Sequence, residues 1–181
     1  MSRPRVFALT LAVLLCVGAI AVVIWLWPYS AANDQGDGTI ADTGFWSYPR
    51  YHIRFPQVSL ASPGEHQFTC RGLPPESLTL ELRLVETGQY EQLRKLKTRV
   101  EFTLTDDAGK TICEAAGPLS AWVLAWMPAH DTGYFWQPAC RDFNVSRRKR
   151  YQLTLVAKDV DPQSPPVLVE PMLTGGGNEL P

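Results

Sequence analysis

Two stretches in the middle of the chain alternate apolar and polar side chains with period two. Leu78, Leu80, Leu82 and Leu84 are separated by Thr79, Glu81 and Arg83, and Val100, Phe102 and Leu104 are separated by Glu101 and Thr103. Successive side chains of a strand point to opposite faces, so this pattern predicts half-buried strands with one wet face, as in antiparallel sheets. The second stretch runs into Asp106-Asp107-Ala108-Gly109, where glycine can take a left-handed turn position, and then into Thr111-Ile112-Cys113. That order predicts a hairpin. Tyr151, Leu153 and Leu155 alternate with Gln152 and Thr154, and Val167-Leu168-Val169 forms a short apolar run bracketed by prolines. Shorter strands are expected over residues 66–70, 119–126 and 134–136. An earlier one, marked by Ile53, Phe55, Val58 and Leu60, is interrupted by Pro56, which confines it to an edge or a bulge.

Helical periodicity is sparse. Residues 89–96 place Tyr90, Leu93 and Leu96 at spacing three between charged residues, enough for one or two turns beside a sheet. About eight strands, frequent proline and glycine, and no alternating helices predict an all-β fold, an antiparallel β-sandwich of jelly-roll or immunoglobulin-like type.

The N-terminus reads differently. Between Val6 and Trp27 there is no charge, and Thr10 is the one hydroxyl-bearing or amide side chain. At about 1.5 Å per residue this run reaches about 33 Å, enough for a hydrocarbon core of about 30 Å. Arg3 and Arg5 precede it, and no lysine or arginine follows until Arg50, so the N-terminus is expected to stay cytoplasmic. A cleavable signal peptide competes, with Ser30 and Ala32 as small residues for a cut. Its apolar core, however, is normally about 7 to 15 residues. Trp25, Trp27 and Tyr29 suit an interfacial belt that a retained span would use. The expected organisation is therefore a cytoplasmic N-terminus over 1–5, a transmembrane signal anchor over 6–27, a flexible tether over 28–44, an exported β-sandwich over 45–174 and a mobile tail over 175–181. The aromatic-dense run from Phe45 to Tyr51 opens the folded part.

Length and charge narrow the classes. The chain has 181 residues, room for one ordinary domain beside an anchor. Its 17 lysines and arginines against 18 aspartates and glutamates supply no basic field, so a nucleic-acid partner is not expected. The dense basic run Arg147-Arg148-Lys149-Arg150 reads as a solvated loop before a strand.

Of the four cysteines, Cys16 falls in the apolar run, and the other three show no CxxC and no zinc-type spacing. Cys113 and Cys140 both border turn-rich sequence, whereas Cys70 shares a strand face with Phe68. A Cys113–Cys140 disulfide is the preferred expectation, worth roughly 3 to 4 kcal/mol in the chain-entropy model; three reduced thiols are the alternative.

The richest loop runs from Trp126 to Trp136. Trp126, Tyr134 and Trp136 could stack on a sugar ring or a peptide, and His130 and Asp131 could supply directed hydrogen bonds. Core packing of Trp122 and Trp126 is the plainer reading. His130, Asp131 and Cys140 do not by themselves define a nucleophilic site, and Asp106-Asp107 is explained by turn chemistry. No catalytic residue, metal site or cofactor is expected.

The run Pro63-Gly64-Glu65-His66-Gln67-Phe68, then Gly72-Leu73-Pro74, and the late strand Tyr151-Gln152-Leu153-Thr154-Leu155 resemble jelly-roll domains of secreted bacterial proteins, including galactose-binding-like modules. In those domains a glycine-led strand opens one sheet and a tyrosine-led strand closes the other. The resemblance implies an adhesive or accessory module and carries over no binding residue. The resulting expectation is a non-catalytic, single-pass protein of the bacterial inner membrane with its sandwich in the periplasm, binding a protein partner. A carbohydrate-binding module using residues 126–136 is the alternative, and an enzyme assembled from scattered residues comes third.

Overall fold

The computed structural model describes residues 10–22, 36–41, 51–73, 77–85, 97–127, 132–160 and 167–175. Apart from a helix over 10–22 and two short 3-10 turns, the regular structure of the described residues is antiparallel β in two sheets, all-β as the alternation predicts. The strands are β1 (Thr39–Ala41), β2 (Tyr51–Arg54), β3 (Val58–Ser59), β4 (Gly64–Arg71), β5 (Ser77–Leu84), β6 (Arg99–Asp106), β7 (Thr111–Pro118), β8 (Val123–Met127), β9 (Thr132–Trp136), β10 (Phe143–Asn144), β11 (Arg150–Lys158) and β12 (Leu168–Gly175). The larger sheet runs β1-β2-β12-β5-β9-β8, with β3 beside β12 and β10 beside β5; the smaller runs β4-β11-β6-β7.

The alternating leucines of β5 are all buried, as are Val100, Phe102 and Leu104 of β6 and Tyr151, Leu153 and Leu155 of β11. These residues form one core between the sheets. Ring contacts across it include Phe55 to Phe68 at 5.6 Å and Phe102 to Trp122 at 6.1 Å between centroids. Trp122 is thus a core residue. The hairpin between β6 and β7 closes as expected: Asp106 Oδ1 accepts from the backbone N–H groups of Ala108 (3.0 Å) and Lys110 (2.9 Å), and Gly109 takes φ +77°. Lys149, from the basic run, donates to Asp106 Oδ2. Tyr151 holds the same run from behind, its hydroxyl accepting from Ser146 N at 2.6 Å.

Several expectations are corrected. The glycine-led β4 and the tyrosine-led β11 do not lie in opposite sheets; they pair with each other, Phe68 opposite Leu153 and Cys70 opposite Tyr151. The last strand does not stop at the prolines. Pro171 accepts from Phe55 N at 2.9 Å, so its missing N–H faces the break between β3 and β2 and costs no bond to β5. The strand then continues to Gly175, which pairs with Tyr51 and Leu78 instead of opening a tail. Residues 176–181 lie outside the described residues, as does the helix expected over 89–96.

Within the stretch read as a tether, the described residues 36–41 are docked on the sandwich. Thr39–Ala41 pairs with β2, and just before it Asp37 N donates to Thr69 O at 2.8 Å on the edge strand β4. A Cβ on Gly36 would meet that same carbonyl oxygen at 2.6 Å. Only glycine permits so close a backbone approach.

The helix over 10–22 is apolar around its whole circumference. Leu11, Val13, Leu14, Leu15, Val17, Ile20 and Val22 are all exposed. At about 1.5 Å per residue the helix reaches about 20 Å, and no helix among the described residues is long and apolar enough to cross a membrane. The rest of the expected 6–27 span lies outside the described residues.

Candidate functional site

The polar positions of β5 build the site. Because the leucines of β5 face the core, Thr79, Glu81 and Arg83 project from the outer face of the larger sheet. Register places Glu170, Met172 and Thr174 of β12 beside Arg83, Glu81 and Thr79 on one flank, and Tyr134 and Trp136 of β9 beside Arg83 and Glu81 on the other. Beyond β12, Arg54 stands next to Met172 and His52 next to Thr174. Beyond β9, Val123 pairs with Trp136.

This face is not the wet surface that the alternation predicts. Met172 is fully buried yet lies outside the core cluster, and Thr174 is buried beside it. The reason is position: β12 is flanked on both edges, so its outer side chains are hemmed in by long neighbours from β2 and β5. Glu81 shares this enclosure. Desolvation by burial pushes its carboxyl up to about 7, against smaller opposing effects of a Thr174 hydrogen bond and the Arg141 charge. The Thr174 contact favours the ionised carboxylate and so opposes the effect of burial, and the Thr174 hydroxyl also donates to Thr79 O at 3.4 Å.

Glu170 collects two cations on one oxygen: Arg83 Nη1 lies 2.7 Å and Arg54 Nε 3.8 Å from its Oε2. Next to them the Tyr134 hydroxyl is held above its ordinary value, chiefly by burial. At the opposite end, the Arg141 guanidinium carbon sits 5.4 Å from the centroid of the Trp136 ring, within cation–π range. Arg141 gets there through a tight path. A 3-10 turn, Pro138–Cys140, precedes it, and Asp142 follows with φ 56°, after which β10 joins β5 at Leu78. Aspartate is one of the few residues that adopt this left-handed backbone readily.

Of the residues singled out in the sequence, Tyr134 and Trp136 come together on this face, both half-buried. Trp126 pairs through its backbone with Gly133. His130 and Asp131 lie outside the described residues. Glu81, Arg83, Glu170, Arg54, Met172 and Arg141 were missed; the signal available was the polar half of the β5 alternation, which reads as plain solvation until β12 and β9 are laid beside it.

Cys113 and Cys140 also meet. The 3-10 turn packs on β7, helped by Gln137 Nε2 donating to Ala116 O at 3.4 Å, and the two buried thiols are in hydrogen-bonding contact. That contact pulls the Cys140 thiol down and, with burial, pushes Cys113 up. Cys70 is a third buried thiol, pushed up to about 12 by burial and then by the Asp37 charge.

No family model matches the chain, and no curated protein matches it.

Proposed function

We propose that this chain is a membrane-anchored, non-catalytic accessory protein whose β-sandwich, of jelly-roll or immunoglobulin-like type, binds a protein partner through the outer face of its larger sheet. The observation that carries the partner reading is the Trp136–Arg141 stack beside Tyr134. Tryptophan, tyrosine and arginine dominate the energetics of protein interfaces, above all on rigid, partly desolvated supports. Here Trp136 stands on β9, a strand paired on both edges, and exposed Val123 extends the patch. A sugar platform needs an open aromatic face, and the guanidinium already occupies space over this ring.

The anchor reading rests on the helix over 10–22, whose all-round apolar surface has lipid as its natural solvent. Residues 6–27 form the span, with Arg3 and Arg5 holding the N-terminus in the cytoplasm and the sandwich exported, as at a bacterial inner membrane. Residues 28–35 then link the span to the docking point at Asp37.

The test places a photoreactive residue at Val123 of the full chain in intact cells. A specific protein adduct should form and fall by about 30-fold with Trp136→Ala, as for a 2 kcal/mol hot spot, and fall with Arg141→Ala, while both variants keep their thermal transition. No adduct, or one indifferent to both substitutions, defeats the proposal. Binding of the sandwich to glycans in a Trp136-dependent way would install the carbohydrate reading instead. Release of the full chain from membranes by alkaline carbonate would defeat the anchor.

A further inference from the structure

We infer that Cys113 and Cys140 form the sandwich's disulfide, a covalent clamp that fastens the Pro138–Cys140 turn to strand β7 and so fixes the backbone from which Arg141 reaches Trp136.

The argument is one of placement. Cys113 lies on β7, an edge of the smaller sheet, and Cys140 ends the 3-10 turn that packs against that strand. Their thiols are in contact, and both side chains are buried. Both are free thiols in this structure, and one bond between the neighbouring sulfurs would join the turn to the strand. Cys70 cannot compete. It sits on β4, at the opposite edge of the sheet β4-β11-β6-β7, three strand spacings or about 14 Å from β7, well beyond the reach of a bridge. Cys16 belongs to the apolar helix.

The step balances by thiol–disulfide exchange. Cys140, as thiolate, attacks one sulfur of a small-molecule or protein disulfide, and the first oxidant thiolate leaves. The Cys113 sulfur then gives its proton to solvent and attacks Cys140 Sγ, expelling the second thiolate. Two protein thiols lose two electrons and two protons, and the oxidant's S–S bond is reduced to two thiols. Burial of both cysteines in the folded domain places this exchange during folding, before the turn has closed over β7.

The experiment uses the full chain in detergent, refolded from denaturant with oxidised glutathione, then unfolded and alkylated without reductant and digested with trypsin. Cys113 and Cys140 fall in one fragment, Thr111 to Arg141. That fragment should be lighter than its reduced form by two hydrogens and carry no alkyl group, and should take up two after reduction; Cys70 should be alkylated throughout. Alkylation of Cys113 or Cys140 before reduction, a glutathione adduct that persists on either, or a bridge from either to Cys70 or another chain overturns the inference. The mass measurement is independent of the partner reading. One consequence does rest on that reading: reduction should weaken capture at the Trp136 face, and failure of that arm alone would count against the partner surface and leave the disulfide standing.

Discussion

Asp37 and Thr69 bind each other in both directions. Asp37 Oδ2 accepts from the Thr69 backbone N–H at 2.7 Å and from its hydroxyl at 3.1 Å, while Asp37 N donates to Thr69 O at 2.8 Å. Thr69 belongs to the edge of the smaller sheet, and Thr39–Ala41, two residues on, completes the edge of the larger. A short segment therefore ties the two sheets at their margins. Asp37→Ala removes both side-chain bonds and should cost about 1 to 2 kcal/mol, given their charged acceptor and exposed setting. Gly36→Val should cost more, because its Cβ meets backbone that cannot give way. Urea unfolding checks both; unchanged midpoints would mean that the segment does not dock in solution.

Glu81 makes stability depend on pH in an unusual direction. Its folded carboxyl titrates near 7, above the ordinary 4.5. The unfolded state releases this proton first, so the contribution is fully present below pH 4.5 and is lost as pH rises through about 7. The full swing corresponds to about 3 kcal/mol. Glu81→Gln, which keeps shape and cannot ionise, should match the wild type at pH 4 and exceed it at pH 8. Denaturation midpoints across that range decide the matter: parallel curves for the two proteins would place Glu81 in water.

Asp106 works the opposite way. Its carboxyl is held below the ordinary 3.8, first by Lys149 and next by the backbone N–H of Lys110, and Lys149 is correspondingly held above 10.5. A depressed carboxyl stabilises the fold above its unfolded value and ceases to do so as pH falls through the folded one. A raised lysine stabilises below its unfolded value and loses that effect at higher pH. The pair thus supports the β6–β7 hairpin from about pH 4 to about pH 10. Asp106→Asn should lower the thermal midpoint inside that window, and the difference from wild type should shrink toward pH 2, as thermal scans at both ends will show.

The core was written in the sequence because one-sided burial leaves a period-two mark. Leu78 to Leu84, Val100 to Leu104 and Tyr151 to Leu155 all face inward as the alternation requires. What escaped was everything fixed by partners distant along the chain. Nothing local in Thr39-Ile40-Ala41 demands a strand; it forms because β2 offers an edge. Pro171 looks like a stop, and becomes harmless only where β12 changes neighbours. The candidate site suffered in the same way. Trp136 stands out by its chemistry, but Glu81 and Glu170 look like ordinary polar positions until cross-strand register brings them beside Met172 and Arg83.

The Arg54–Glu170–Arg83 cluster gives a prediction that separates its two ion pairs. Both arginines address the same oxygen, but Arg83 does so at 2.7 Å in a hydrogen bond and Arg54 at 3.8 Å, with the Glu170 side chain only 13% exposed. Removing the charge by Glu170→Gln leaves two guanidiniums on a partly desolvated face and should cost about 1 to 3 kcal/mol, less than for a fully buried pair because the arginines still touch solvent. Double-mutant cycles should assign about 1 kcal/mol or more to Glu170 with Arg83 and under about 0.5 kcal/mol to Glu170 with Arg54. Equal couplings would contradict the geometry. Replacing Glu170 and Arg83 together by leucine should recover most of the loss, since an apolar pair beside Met172 avoids the desolvation that the ion pair must overcome.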